Sequence, residues 1–496
     1  MIYKFLKMGV REMNIKKKAL VIFSVLLMAI FLSESFIAID KKVYGATTSI
    51  VYPSAPPTYT YNDVSAINNT SQWKTMNVHD PFIYYENGWY YCFSTDYATA
   101  ATPPQAVQIR KSQDMVSWQW VGTAFTSTPA AAKSWTGETL VWAPDVQKIG
   151  SKYYMYYCNS VFGTNKSFIG VATSNSITGP WTDQGLVYKT ASGAEDNAID
   201  PNIITDASGR IWMVYGSFFG GIYISEINPA TGKLYNSVKG TLLARRPLSA
   251  KGAVEGGYIT YNPSTGYYYL FCSYDFLGSS PYYSVRVARS KNVTGPYVDY
   301  NNNNMINSST STPNEIGTKI LGSYAFGNHS GWLAPGHNSV FKQGSNFYLV
   351  HHARTGSDIN WTYLHVRKLL WTDNGWPVAS PERYAKESEQ TIPSSAIAGT
   401  YQSIVLDRNT SGKIGSTNTV LLASGKIGSE SSNNHWTLTG TNTLKLYWYA
   451  PGVAPGDYWI DTCKVLPSWD WENNRQTLVY TGLNQSGTAI WGKKVS

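Results

Sequence analysis

The chain has 496 residues, of which 14% are charged and 14% aromatic, and its formal net charge is +9. An ordinary soluble domain carries about 25% charged residues, so this low-charge, ring-rich composition excludes an intrinsically disordered protein. The 42 Gly and 23 Pro follow no fixed period, which excludes a collagen-like chain. The length predicts two or three domains with room for a large core.

The first 45 residues have the order of a secretory signal peptide. Three lysines at 16–18 precede an apolar run over 19–32, shorter than the roughly 20 residues of a membrane span. We therefore predict a signal peptide over 1–45 and a secreted, extracellular protein without membrane contact after cleavage; an uncleaved anchor is the alternative. This segment holds eight Lys/Arg and three Asp/Glu, so most of the net charge leaves with it. No basic run remains, and nucleic acid is not an expected partner.

One pattern recurs five times along the chain: a polar residue (Ala in one copy), two further residues, an aliphatic or aromatic residue, a turn with Gly, and a Tyr/Trp-rich strand. The copies begin at Asp80, Ala143, Asp200, Glu255 and His337. A third strand follows each hairpin, and a further turn leads to a fourth. Four antiparallel strands repeated radially predict an all-β fold, a five-bladed β-propeller that forms the catalytic domain over 46–385.

After residue 385 the pattern changes to short alternating strands separated by Gly, Ser and Asn turns. We predict a separate small β-barrel or sandwich over 386–496. Its Trp469, Trp471 and Trp491 could contact sugar, but cross-strand core packing is the favoured interpretation. The four cysteines show no metal or CxxC spacing and are predicted to be buried thiols, although export would permit disulfides.

Aligning the units on residues 83, 146, 203, 258 and 340 places their five first residues in one column. The first strand of a blade lines the propeller axis, so Asp80, Asp200, Glu255 and His337 are expected to meet at one end of the channel. A single Asp-Pro could cap a turn, but four ionisable residues in one column are costly to bury without a role. Neighbouring carboxylates suit glycoside hydrolysis, which needs one protonated acid and one ionised carboxylate.

The runs HDPFI, WAPDV, AIDPNI, YGSFFGGI, GAVEGGYI and APGHNSV resemble glycoside hydrolase family 43, most closely its secreted two-domain endo-1,5-α-L-arabinanases. The resemblance implies that Asp80 is the general base, Glu255 the general acid, and Asp200 the residue that orients the acid and modulates its pKa, with inversion at the anomeric carbon. It also implies Ca²⁺ near His337. One His is a poor calcium cage, so an axial hydrogen-bonding His is the alternative. Asp145 is expected to be a supporting carboxylate.

Rings near the axis, such as Trp142, Phe218 and Phe219, would supply faces for sugar rings, although core packing is the favoured role for each ring taken alone. The resemblance adds further substrate contacts. The predicted substrate-binding residues are Asp80, Trp142, Gly163, Asn197, Ala198, Ile199, Asp200, Ser217, Phe218 and Phe219. The expected substrate is plant cell-wall arabinan, a pectin side chain, and the expected state is a monomer. Short inter-blade loops favour an open groove and internal cleavage.

Other functions remain open at this point. The same catalytic residues serve exo-acting α-L-arabinofuranosidases and β-xylosidases of the family, because loops and not the catalytic residues shape the cleft. A non-catalytic sugar-binding propeller would not need the converging carboxylates. A retaining fructan hydrolase is disfavoured because its Asn-Asp-Pro-Asn motif is absent.

Overall fold

The computed structural model describes residues 49–103, 106–277 and 282–496, so the predicted signal peptide over 1–45 lies outside the described residues. The described part is nearly all β and has one α-helix, α1 (Ala130–Thr136). No helix in this part is long and apolar enough to cross a membrane. Residues 51–496 form one compact unit.

Five antiparallel sheets form the blades of a propeller, which confirms the predicted fold class. Blade 1 comprises β1 (Phe82–Glu86), β2 (Trp89–Ser94), β3 (Gln108–Ser112) and β4 (Gln119–Thr123). Blade 2 comprises β5 (Trp142–Ile149), β6 (Lys152–Ser160), β7 (Ser167–Ser174) and β8 (Thr182–Thr190). Blade 3 comprises β9 (Asn202–Thr205), β10 (Ile211–Tyr215) and β11 (Ile222–Asn228), with β12 (Lys233–Leu234) and β13 (Thr241–Ala244) both paired to β11.

Blade 4 comprises β14 (Val254–Asn262), β15 (Tyr267–Tyr274), β16 (Ser284–Ser290) and β17 (Thr318–Leu321). The sheet of blade 5 comprises β18 (Tyr324–Ala325), β19 (Trp332–Gln343), β20 (Asn346–Thr355), β21 (Thr362–Trp371) and β22 (Pro377–Ala379). The first strands contact one another in a closed ring, in the order β1, β5, β9, β14, β19 and back to β1. The starts of these five strands therefore surround one axis.

The hairpins between the first two strands of each blade explain why the repeat was visible in the sequence. Each turn contains a glycine with φ between +60° and +85°, a conformation that costs other residues free energy. These glycines are Gly88, Gly150, Gly209, Gly266 and Gly344.

The C-terminal region is one curled sheet of seven strands, a barrel-like form and not a sandwich. Its order is β25 (Thr417–Leu421), β23 (Gly399–Leu406), β30 (Ala489–Lys494), β29 (Arg475–Asn484), β28 (Tyr458–Asp470), β27 (Thr443–Tyr449) and β26 (His435–Thr439). Single bridges from Leu421 to Ile427 and from Lys426 to His435 connect its two edges. The short β24 (Ile414–Gly415) instead pairs with β18 of blade 5. The predicted boundary at 385/386 falls between β22 and β23.

The propeller and the C-terminal sheet share a hydrophobic core, in which Trp491 is fully buried. Trp469 is also buried, and the Trp471 indole donates a hydrogen bond to the carbonyl of Arg383 at 2.8 Å. These contacts agree with the core-packing interpretation of the three tryptophans. All four cysteines are buried free thiols, as predicted.

Candidate active site

The column of polar residues begins where the chain enters the first strand of each blade. Asp80, Ala143, Asp200 and His337 all have φ between +42° and +59°. Non-glycine residues rarely adopt this left-handed conformation, and each instance costs on the order of 1–3 kcal/mol. The same strained turn in four blades aims four equivalent side chains at the axis.

Blade 4 departs from the predicted alignment by one residue. There the left-handed position is taken by Gly256 (φ +59°), and Glu255 precedes it. The β14–β15 register shifts between Glu255 and Tyr258. A Cβ on Gly256 would lie 3.3 Å from the His337 ring, so a side chain at this left-handed position would crowd His337. Glu255, the general-acid candidate, therefore lies one residue before the left-handed position, whereas Asp80, Asp200 and His337 occupy that position in their own blades.

Asp80 is held by three side chains. The Thr95 hydroxyl donates to Asp80 Oδ2 at 2.5 Å and also accepts from the Ala143 amide at 2.9 Å. Asp80 Oδ1 lies 3.1 Å from His337 Nδ1 and 3.6 Å from His352 Nδ1. The Asp80 side chain is 12% exposed, so it keeps access to a water molecule while its position is determined by the protein.

Glu255 accepts two hydrogen bonds. The Tyr283 hydroxyl donates to Glu255 Oε1 at 2.6 Å, and the Ser217 hydroxyl donates to Oε2 at 2.8 Å. Burial, the largest cause, raises the pKa of Glu255, while the Tyr283 hydrogen bond and the His337 imidazole lower it. A raised pKa keeps Glu255 protonated to higher pH than an ordinary glutamate, as a general acid requires.

Asp200 is the most buried of the three carboxylates at the axis. The pKa of Asp200 is raised to about 7: burial is the largest cause, the His337 imidazole lowers the pKa, and Glu255 and Asp80 raise it. The Gly256 amide donates to Asp200 Oδ2 at 3.2 Å. Asp200 thus holds the backbone beside Glu255 and interacts with its charge, as expected of a residue that orients and tunes the acid.

A stack of buried rings connects the base candidate with the acid candidate. The Asp80 amide donates to His352 Nδ1 at 3.3 Å. The His352 ring stacks on Tyr283, with centroids 6.0 Å apart, and on His79, with centroids 4.4 Å apart. Burial keeps the pKa of His352 well below its ordinary value, so the ring is neutral and acts as a spacer.

Sequence reasoning missed Thr95, Tyr283 and His352. The pair His351 and His352 within an apolar strand was the one available signal, because two polar residues at the end of a buried strand need partners. Nothing near Tyr283 in the sequence links it to Glu255.

A cavity of about 20 Å³ lies on the axis beside the column. Its lining includes His337, Asp145 and Asn338. Both side-chain polar atoms of Asn338 are buried and have no partner among the described residues. Asp145 accepts from Asn202 at 2.9 Å, and burial raises its pKa to about 7. Asp145 supports blade 3, consistent with its predicted supporting place.

His337 fits the chemistry of a metal ligand in this channel. Its Nδ1 faces the Asp80 carboxylate, the partner that metal-binding imidazoles usually have. Its Nε2 has no hydrogen-bond partner among the described residues. The unpartnered Asn338 and the nearby carboxylates supply oxygen atoms, which calcium prefers. Burial lowers the pKa of His337, but Asp80, Asp200 and Glu255 outweigh it and raise the value. The site is thus electrostatically suited to positive charge.

The predicted substrate-binding residues divide into two groups. Asn197, Ala198 and Ile199 are buried, and Asn197 Oδ1 accepts from the Ser167 hydroxyl at 2.6 Å, so these three support the site from behind. The others line or border the mouth: Trp142, Phe218, Phe219 and Gly163 are partly or fully exposed, and Ser217 binds Glu255.

Phe162 was also missed by the sequence analysis. Its ring is 84% exposed and lies edge-on to Trp142, with centroids 6.4 Å apart. An exposed aromatic ring next to the catalytic column can pack against the apolar face of a sugar ring. Across the mouth, Phe218 contacts Phe276 at 5.5 Å. The mouth therefore has rings on two sides of the axis.

We expect Tyr283→Phe to move the alkaline limb of the kcat/KM profile to higher pH. The Tyr283 hydroxyl stabilises ionised Glu255, so its removal raises the pKa of the acid further. We also expect kcat to fall about tenfold, since the carboxyl loses one of its two positioning hydrogen bonds. The measurement is a pH–rate profile on a linear arabinan oligosaccharide, the substrate class that the sequence resemblance implies.

Tyr274→Phe is the matched control, because the buried Tyr274 hydroxyl has no partner among the described residues. Its profile should equal that of the parent enzyme. An unmoved alkaline limb in Tyr283→Phe would contradict the role given to this hydrogen bond.

The fold and site together define a class of protein. A propeller that brings three carboxyl groups and an imidazole to one end of its axis, with the pKa of Glu255 raised by burial, is suited to glycoside hydrolysis. The comparisons agree: the profile of "Glycosyl hydrolases family 43" matches residues 73–377, and that of its "C-terminal lipocalin-like domain" matches 381–492. The chain belongs to glycoside hydrolase family 43.

Its relatives include proteins with the same two-domain length. The extracellular endo-alpha-(1->5)-L-arabinanase 2 of Bacillus subtilis is 32% identical in an alignment 461 residues long, which covers 85% of this chain and 93% of the relative. The crystal structure of endo-1,5-alpha-L-arabinanase from Thermotoga petrophila is 29% identical with a TM-score of 0.75, covering 86% and 99% of the two chains. An extracellular exo-alpha-(1->5)-L-arabinofuranosidase of Cellvibrio japonicus is 33% identical over 61% of this chain.

Proposed function

We propose that the protein is a secreted, inverting endo-1,5-α-L-arabinanase that cleaves the α-1,5-linked backbone of plant cell-wall arabinan internally. One observation carries the chemistry: Glu255, with its raised pKa, and Asp80, with its access to water, flank one axial site. The named activity of the two-domain relatives supports the substrate.

The two carboxyl groups divide the reaction between them. Glu255 gives its proton to the glycosidic oxygen as the bond to the anomeric carbon breaks. Asp80 takes a proton from the water that attacks the opposite face of the sugar, which inverts the configuration. After the reaction Glu255 is ionised and Asp80 protonated, and exchange with solvent restores both.

Internal cleavage is favoured over release from chain ends by domain organisation. The endo-named relatives from B. subtilis and T. petrophila align over 93% of their own length, including the C-terminal domain. Relatives that align with about three fifths of this chain include both endo-named and exo-named proteins, whereas these two longer relatives are both named endo-acting. Membership of a family of glycoside hydrolases also disfavours a propeller that only binds sugar without cleaving it. Export is supported by the same relatives, which are named extracellular.

Product analysis on debranched arabinan tests the proposal. Mixed oligosaccharides, with the inverted anomer seen first by NMR, are the expected result. Arabinose alone would establish the exo reaction, retained configuration would exclude the inverting mechanism, and no products would exclude catalysis on this polymer. Sedimentation of the mature chain tests the expected monomer.

We further propose that calcium binds in the axial channel, with His337 as its side-chain ligand and water as most of the remainder. When bound, the ion would supply fixed positive charge beside the three carboxylates. Asp80 would hold the His337 ring through Nδ1, and Asn338 would orient the channel water. The alternative is an imidazole that only hydrogen-bonds Asp80.

Removal of calcium should lower both activity and thermal stability, because a ligand that binds only the folded state stabilises it. His337→Gln should weaken calcium affinity by more than about tenfold, measured by titration calorimetry and by the calcium dependence of Tm. His435→Gln, in the C-terminal domain, is the control. The proposal would be contradicted if neither the Tm nor the catalytic rate changed on addition of EGTA or of calcium.

A further inference from the structure

The hairpin of β27 and β28 carries aromatic rings on both faces near its turn. Its register pairs Tyr449 with Tyr458 and Trp448 with Trp459. Cross-strand partners point to the same side of a sheet, so the two tyrosines share one face and the two tryptophans share the other. On the tyrosine face, His435 stacks on Tyr447 with centroids 4.4 Å apart.

These rings are open to solvent. Tyr449 is 41% exposed and Trp459 is 40% exposed, while Val453 at the turn is 74% exposed. None of the tyrosine hydroxyls at 447, 449 and 458 has a hydrogen-bond partner within the described ranges. Exposed aromatic and apolar side chains grouped at one turn are a feature of binding surfaces.

The charge of the hairpin indicates the chemistry of its partner. Over residues 447–460 the one charged side chain is Asp457. Such a surface offers no match to nucleic acid or to an anionic membrane, both of which need clustered Lys/Arg. It matches a neutral polymer whose C–H faces can lie on rings and whose hydroxyls can reach the three free phenols.

We propose that this aromatic hairpin is a second binding site for a neutral arabinan chain, on the C-terminal domain and apart from the catalytic column. The inference rests on the proposed arabinan activity. Two sites on one molecule turn the second binding event into an intramolecular one, so a weak site raises the residence of the enzyme on a long chain without touching the chemistry. The hairpin thereby gives the C-terminal domain a function.

The test uses the full mature chain with Glu255→Gln, which prevents hydrolysis during binding. Affinity electrophoresis in debranched arabinan compares this parent with Tyr449→Ala/Tyr458→Ala and, separately, with Trp459→Ala. We expect the apparent affinity for the polymer to fall about tenfold in the double variant. Tyr235→Ala removes a 55% exposed ring of the propeller and is the matched control, expected to bind as the parent does.

With Glu255 intact, the hairpin variants should cleave a short arabinan oligosaccharide with kcat/KM within twofold of the parent. Their rate on dilute polymer should fall. The proposal is overturned if the hairpin variants are retarded in the arabinan gel as strongly as the Tyr235→Ala control. It is also overturned if they change the protein from dimer to monomer in sedimentation, because the hairpin would then be a self-association surface. If the Glu255-intact enzyme fails on every arabinan, the proposed function itself is wrong, a result distinguishable from normal cleavage with unchanged binding.

Discussion

Replacing Glu255 with Gln lowers kcat on linear arabinan by about 10²–10⁴, the usual contribution of a general acid. Gln keeps the shape of the side chain and its contacts with Tyr283 and Ser217 but has no proton to give. The alkaline limb of the pH–rate profile should vanish with it. The measurement is the initial rate of reducing-end release across pH.

Substrates with different leaving groups distinguish the loss of the general acid from a general distortion of the active site. An aryl arabinofuranoside with an acidic phenol departs without protonation, so Glu255→Gln should lose far less on it than on arabinan. Asp80→Asn should lose activity on both substrates, because the water still needs a base. Equal losses for Glu255→Gln on the two substrates would contradict the acid assignment.

Stability gives an independent check on Glu255. Its pKa is raised in the folded protein, so its ionisation costs folding free energy as pH rises through the folded pKa. Gln cannot ionise, and the variant should therefore gain relative stability at alkaline pH. A loss of stability there would mean that the carboxylate is favoured in the native state, contrary to the shift described above.

Replacing Lys493 with Met destabilises the protein by about 3–5 kcal/mol, the cost of leaving buried charges without their partner. The Lys493 side chain is 0% exposed and lies 3.0 Å from Glu382, 2.8 Å from Asp470 and 2.6 Å from Glu472. Glu382 follows the last propeller strand, whereas Asp470 and Glu472 come from the C-terminal sheet. The lysine therefore joins the two parts of the molecule.

The pH dependence of this loss has a definite sign. Without Lys493 the carboxyl groups of Glu382 and Glu472 lose the charge that lowers their pKa values, so their folded-state pKa values rise. Stability is then lost as pH rises through these values and recovered as pH falls. The deficit of Lys493→Met should therefore shrink in acid. Urea unfolding at several pH values measures it.

Lys494→Met is the matched control. Lys494 is half-buried and its Nζ donates to the Ala396 carbonyl at 2.8 Å, without a carboxylate partner among the described residues. Its replacement should cost about 1 kcal/mol or less. Equal effects at the two positions would contradict a special role for the buried ion network.

Much of the fold could be predicted because its information is local. Blade number follows from five copies of one turn-and-strand pattern, and each copy carries its own hairpin glycine, such as Gly88 and Gly344. Asp80, Asp200 and His337 could be placed on one axis because equivalent positions of a repeat occupy equivalent positions in space. The same reasoning did not show that the left-handed turn of blade 4 falls on Gly256, which places Glu255 one residue before the equivalent position.

The sequence by itself determined the repeat, the column of ionisable residues and the class of chemistry. Equivalent positions of the repeated blades meet at one end of the axis, so these residues can be placed there without any measured distance. Only the tertiary structure decided what surrounds them. The contact between Asp80 and His352 spans 272 residues, and the lysine network joins Glu382 to Lys493 across the junction. Such partners are selected by packing between blades and domains, where proximity in space is independent of separation along the chain.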